Sequence, residues 1–183
     1  MQVESIGGGL AVLAGLLASR PVPMSFGFSA VQVDGPFAAA WLSLLPVLIV
    51  AGFGCLAWLG WRRIRSEGVG GSGVQPGTVV TLAFASVLLL LATSKVFSIQ
   101  YIAWIVPFAA LLRGRQFWLA AAVIALTMPI HPWLYSHLVD QEALPILVLN
   151  LRNGLFVALL AWVLRDVAGG AARPLDQPAN RTG

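Results

Sequence analysis

The chain has 183 residues, of which 58% are hydrophobic and only 10% charged, with a net charge of +4 and a mean hydropathy of +0.86. Soluble domains carry roughly 25% charged residues, so this composition excludes a soluble enzyme and predicts an all-α, polytopic membrane helix bundle. The basic residues sit at the ends of apolar runs rather than in one patch, which argues for topology signals and against nucleic acid as a partner.

The opening Met1-Gln2-Val3-Glu4-Ser5 holds an acid and no base, and the apolar run from Leu10 to Ala18 is too short to span. Neither a secretory signal nor a first membrane anchor is therefore expected. Val3, Ile6, Leu10, Leu13 and Leu17 recur at helical spacing, predicting an interfacial amphipathic helix over 1–20. Gly7, Gly8 and Gly9 count against it. The predicted organisation is an outer-face amphipathic helix and loop over 1–35, a transmembrane bundle over 36–165 and a flexible cytoplasmic tail over 166–183.

A spanning helix needs about 20 mostly apolar residues. Candidate segments run from Pro36 to Trp61, Pro76 to Thr93, Tyr101 to Leu112, Phe117 to Ile130 and Pro145 to Leu164, giving about five spans. Arg62, Arg63 and Arg65 follow the first, and Gly68 to Gly73 reads as a flexible loop. With those arginines in the cytoplasm, Arg113, Arg115, Arg165, Arg173 and Arg181 fall on the same side. Only Arg20, Lys95 and Arg152 fall at the outer end. This bias predicts a plasma-membrane protein with a cytoplasmic C-terminus. It also gathers residues 1–35, the Lys95 region and His131 to Ala143 on the outer face.

The third segment is anomalous. Tyr101 to Leu112 spans only about 18 Å as a helix, so either the helix begins near Ser94 or the backbone breaks there. Broken backbone at membrane depth survives only when buried in protein or lining a wet cavity. Ser94-Lys95-Val96-Phe97-Ser98-Ile99-Gln100-Tyr101 also places a lysine, a glutamine and a tyrosine where lipid would favour apolar residues. Such residues mark functional sites by default, though a lysine at a helix end can also snorkel.

That stretch, continuing through Ile102-Ala103-Trp104 to Pro107, resembles a motif of the GT-C type integral-membrane mannosyltransferases of glycosyltransferase family 87. Ser94 stands where the family has Asn, and Ile99 where it has Pro. Gln2-Val3-Glu4-Ser5 is similar to a second family signature, which leads into an outer amphipathic helix. The resemblance implies transfer of a sugar, typically mannose, from a polyprenyl-phosphate donor to a lipid or glycan acceptor at the outer face, with no cofactor and no metal. Family members have many more spans and carry their catalytic acid in an early outer loop. The chain is therefore expected to be the C-terminal part of such an enzyme, its acid absent and a further chain supplying the N-terminal helices.

By the same resemblance, Lys95 contacts donor phosphate, and Gln100 and Tyr101 bond phosphate or sugar hydroxyls. Helix–helix glue and belt placement are the alternatives for those two. Trp104 packs on the prenyl chain or a sugar face. Arg152, with Asn150 and Asn153 on a shared face, is either an interfacial cap or a polar stripe contacting phosphate. Glu4 either contacts substrate or caps the first helix. His131 and His137, six apart with no cysteine nearby, make a poor metal site. Asp140 and Glu142 read as solvated loop charges, and Cys55 as a small lipid- or helix-facing residue. The competing functions are a non-catalytic membrane subunit that scaffolds a partner chain and a small transporter, for which no internal repeat is found.

Overall fold

A computed structural model describes residues 1–69 and 73–169. Arg173, Arg181 and most of the expected tail lie outside the described residues, as do positions 70–72 of the expected glycine loop. Of the described residues, 73% are helix and 5% strand. It comprises α1 (Ile6–Leu17), a hairpin of β1 (Met24–Gly27) and β2 (Ala30–Val33), α2 (Pro36–Val69) and α3 (Pro76–Ala92). A 3-10 helix (Ile99–Trp104) leads into α4 (Val106–Ala109), followed by α5 (Arg115–Thr127), α6 (Tyr135–Val139) and α7 (Ala143–Gly169).

Among the described residues, two helices are long and apolar enough to cross a membrane: α2 over Pro36–Gly68 and α7 over Ala143–Gly169. Both run beyond their expected ends, α7 four residues into the predicted tail, because nothing after Leu164 breaks the helix before Gly169. Helix α3 has 17 residues. The 13 residues of α5 are prolonged by a 3-10 turn, Met128–Ile130.

The third apolar segment takes the broken form. After α3 the backbone leaves the helix at Thr93, runs irregularly through Ser98, and resumes as the 3-10 helix and the single turn of α4. Its apolar residues stay inside the protein: Phe97, Ile102 and Ile105 belong to one buried core with Phe84 and Leu88 of α3 and Phe156 and Leu159 of α7. Phe97 and Phe156 rings meet at 4.9 Å. The irregular stretch is thus covered by side chains from two helices, the condition such backbone needs at depth.

Glycines set the helix contacts. On α2, Gly52 and Gly60 receive Leu89 and Leu82 of α3; a Cβ there would stand 2.9 Å and 3.1 Å from those side chains. On α1 the buried face is Gly7, Gly8, Gly9, Ala11 and Val12, whereas Leu10 and Leu17 are exposed. Of the expected stripe, Val3 is buried and Ile6 and Leu13 pack on the two buried cores, while Leu10 and Leu17 face outward. Gly9 lies against Asn150 and Asn153 of α7, and Gly7 against the Trp41 indole of α2. Small residues let backbones approach closely where a leucine would hold them apart. The residues that weakened the helix prediction are the ones that seat it.

The hairpin lies inside what reads from sequence as a loop. Met24 pairs with Val33 and Gly27 with Ala30, leaving Phe28 and Ser29 as a two-residue connection with φ of 54° and 59°.

Candidate functional site

Residues 1–5, 94–98 and 131–141 meet at one end of the bundle. Gln2 N–H donates to the Lys95 carbonyl at 3.0 Å, and Val3 N–H to the Val31 carbonyl at 3.1 Å. The Gln2 side-chain amide donates to Ser98 Oγ at 2.6 Å and to Glu4 Oε2 at 3.3 Å. Ser5, not Glu4, caps α1: its Oγ accepts from Gly8 N–H at 3.0 Å. Glu4 is thereby freed to point inward, where it is 1% exposed.

Arg152 reaches the same place from α7. It is also 1% exposed, with its guanidinium carbon 4.3 Å above the Phe97 ring. Nη2 donates to the Glu4 backbone carbonyl at 3.1 Å. On the same face, Asn150 donates to the Gly9 carbonyl at 2.9 Å and Asn153 to the Ser5 carbonyl at 3.4 Å. The polar stripe thus faces α1.

Arg152 Nε and Nη1 have no hydrogen-bond partner among the described residues, nor have Glu4 Oε1, Gln2 Oε1 and Asn153 Oδ1. Five uncommitted buried polar atoms in one cluster are unusual, because most buried polar groups are paired. Two of them are forked N–H donors of an always-charged group, the arrangement that takes phosphate or carboxylate oxygens.

Burial pushes the Glu4 carboxyl up to about 7, against the opposing pull of the Arg152 charge and of Ser98. His131 Nε2 stands 3.6 Å from Glu4 Oε1, and burial lowers its pKa, so the imidazole is neutral at pH 7. It stacks on Tyr135 at 4.1 Å, whose hydroxyl accepts from Val31 N–H at 3.2 Å. His137 points elsewhere and bonds Glu142 at 2.9 Å, an interaction that raises its pKa. The two histidines do not converge. Among the described residues no group of three or more His, Cys, Asp or Glu could hold a metal.

The structure brings together Glu4, Arg152 and the backbone of Lys95. The Lys95 and Gln100 side chains are instead exposed. Tyr101 is half-buried, with its ring edge-on to Trp104 at 5.4 Å. Sequence reasoning missed Gln2 and Ser98 as the link between the two stretches, and missed the approach of His131 to Glu4. Nothing in their spacing signals either.

A separate small cleft lies at the opposite end, lined by Thr81, Phe84, Phe108, Gln116, Val163 and Asp166. There Gln116 donates to Asp166 at 2.6 Å. Nearby, Glu67 ties α2 to α3, paired with Arg63 at 2.6 Å and accepting from Thr78 at 2.6 Å. Comparison with protein-family models, curated proteins and solved structures returns no match.

Proposed function

We propose that this chain forms the lipid-phosphate end of an integral-membrane glycosyltransferase site. The enzyme transfers a sugar, mannose by the family resemblance, from a polyprenyl-phosphate donor to a lipid or glycan acceptor at the outer membrane face. The observation that carries this reading is the meeting of the two stretches that bear the resemblance. Gln2 and Ser98 are 96 residues apart and hydrogen-bonded, and the Arg152 guanidinium lies beside them with two N–H groups uncommitted.

Departure of a lipid phosphate develops negative charge, which a preorganised cation stabilises. Arg152 supplies that charge from within, and Lys95 from the exposed rim. Gln100, Tyr101 and Trp104 contact the sugar or the prenyl chain. The family resemblance puts the catalytic acid in an early outer loop, so it comes from residues outside this cluster, on a further chain or segment.

On this reading α2, α3, the broken third segment, α5 and α7 are five crossings of the plasma membrane. Arg62, Arg63, Arg65, Arg113, Arg115 and Arg165 then lie on the cytoplasmic side together with the C-terminus. The 17 residues of α3 stand at the lower limit for a span. A second reading, a non-catalytic membrane subunit, is favoured by how completely Gln2, Glu4 and Asn153 are buried.

The test is mannose transfer from polyprenyl-phosphate-mannose in membranes expressing the chain, alone and with its genomic upstream coding sequence, with Lys95→Ala and Arg152→Gln alongside. Transfer that both substitutions abolish supports the proposal. Transfer indifferent to both, or no transfer under either condition, replaces it with the non-catalytic reading.

A further inference from the structure

Residues 21–33 form the hairpin and its approach and carry no charged side chain; Arg20 and Asp34 flank them. The base of this unit is fixed. Val22 exchanges two 2.8 Å hydrogen bonds with the Gln141 amide. Val33 N–H donates to the Met1 carbonyl at 2.7 Å. Met24 and Val31 pack on a second buried core that includes Val3, Val12 and Ile146. The tip is free: Phe26 is 78% exposed and Phe28 101%.

Folding does not explain Phe28. It buries nothing, and its φ of 54° lies in the left-handed region that bulky side chains disfavour. A two-residue turn of this kind is best served by Asn or Gly. An aromatic residue held there at a local cost is explained by a contact beyond the chain.

Three observations identify the contact as lipid. The unit has no charge to complement a polar partner, and the Gln32 side-chain amide turns back to donate to the Gly27 carbonyl at 3.3 Å. Strand β2 leads through Asp34 and Gly35 directly into α2, the longer of the two candidate spans. The first turns of α2 carry Phe37 stacked on Trp41 at 6.3 Å, the aromatic signature of a membrane–water boundary. A four-residue strand is about 13 Å long, so the tip stays within one strand length of that boundary.

We infer that the hairpin is a membrane-interface anchor, with Phe26 and Phe28 inserted into the headgroup–acyl boundary of the leaflet beside the start of α2. The inference rests on α2 crossing the membrane and is independent of the transferase reading.

The test uses the full chain carrying Cys55→Ser, with Phe26→Cys, Phe28→Cys, Val50→Cys or Asp140→Cys spin-labelled singly. Each variant is reconstituted in vesicles of phosphatidylcholine and phosphatidylglycerol. Collision with oxygen, which partitions into lipid, is compared with collision with a water-soluble nickel chelate. Labels at 26 and 28 are expected to favour oxygen several-fold over the label at Asp140. Preference for nickel at 26 and 28, with the Val50 label in lipid, overturns the anchor and leaves the span intact. Protection of 26 and 28 from both reagents also overturns it and indicates a protein partner or a second copy. Nickel access at Val50 removes the span, and the inference with it.

Discussion

Arg152 and Glu4 are buried in the same cluster, yet the bond between them runs from the guanidinium to the Glu4 backbone carbonyl, at 3.1 Å. No carboxylate among the described residues pairs with Arg152. The charge is held in place by main chain and by the Phe97 ring, and its two remaining donors stay open. A group whose purpose was cohesion would be expected to close its ion pair, since a buried charge left half-satisfied costs stability.

Arg152→Met is accordingly expected to fold. It keeps apolar contact with Phe97 and removes a buried charge, at the cost of one unpaired carbonyl worth about 1–3 kcal/mol. Sugar transfer is expected to fall by about 10²-fold. Thermal midpoints in detergent, measured beside initial rates, separate the two effects; a collapse of the fold with the rate would make Arg152 structural.

Glu4 makes stability depend on pH. Its carboxyl is raised from 4.5 to about 7 on folding, so between those values the folded state binds more protons than the unfolded state. The contribution of Glu4 to stability is full below pH 4.5, falls as pH rises towards 7, and is lost above it. The total change is on the order of 3 kcal/mol. Glu4→Gln is expected to flatten the pH dependence of the unfolding midpoint across this window. An unchanged slope would place the titration elsewhere.

The glycine face of α1 predicts opposite responses to one substitution. Gly8→Ala would drive a Cβ into the Gln2 carbonyl, which is backbone and cannot swing away. A loss of about 1–3 kcal/mol is expected, the usual cost of overpacking. Gly54→Ala on α2 meets nothing within 4 Å and should gain roughly 0.5–1 kcal/mol from the stiffer helix. A thermal-shift comparison decides, and equal shifts would refute the packing described for α1.

Lys95 and Phe97 are two residues apart and should separate function from fold. Lys95 is exposed, so Lys95→Ala should alter stability by less than about 0.5 kcal/mol while lowering transfer. Phe97 is fully buried against Phe156, and Phe97→Ala should cost about 3–5 kcal/mol. Chemical unfolding of both variants checks the contrast.

The long apolar runs were readable because a helix of this kind needs little more than unbroken hydropathy: α2, α3, α5 and α7 follow from the runs that begin at Pro36, Pro76, Phe117 and Pro145. The grouping of residues 1–5, 94–98 and 131–141 at one end followed from the placement of arginines alone. The hairpin was not readable, because Phe28 and Ser29 take left-handed φ values without the Asn or Gly that announces such a turn. The seating of α1 on α7 was not readable because periodicity weights leucines, whereas this close approach is set by what is missing from Gly9. The proximity of Glu4 to His131, 3.6 Å, depends on packing between distant segments and leaves no mark on local sequence.

The separation of 148 positions between Glu4 and Arg152 imposes an order on biosynthesis. A ribosome delivers Glu4 and Ser5 well before α7, and their carbonyls receive the Arg152 and Asn153 side chains only when α7 has been made and has taken its place. Contacts this distant in sequence close late. Until then α1 has neither Asn150 nor Asn153 to seat its glycines. Seating of α1 is thus timed by arrival of α7, and a chain interrupted before residue 150 would leave α1 without its contacts to that helix.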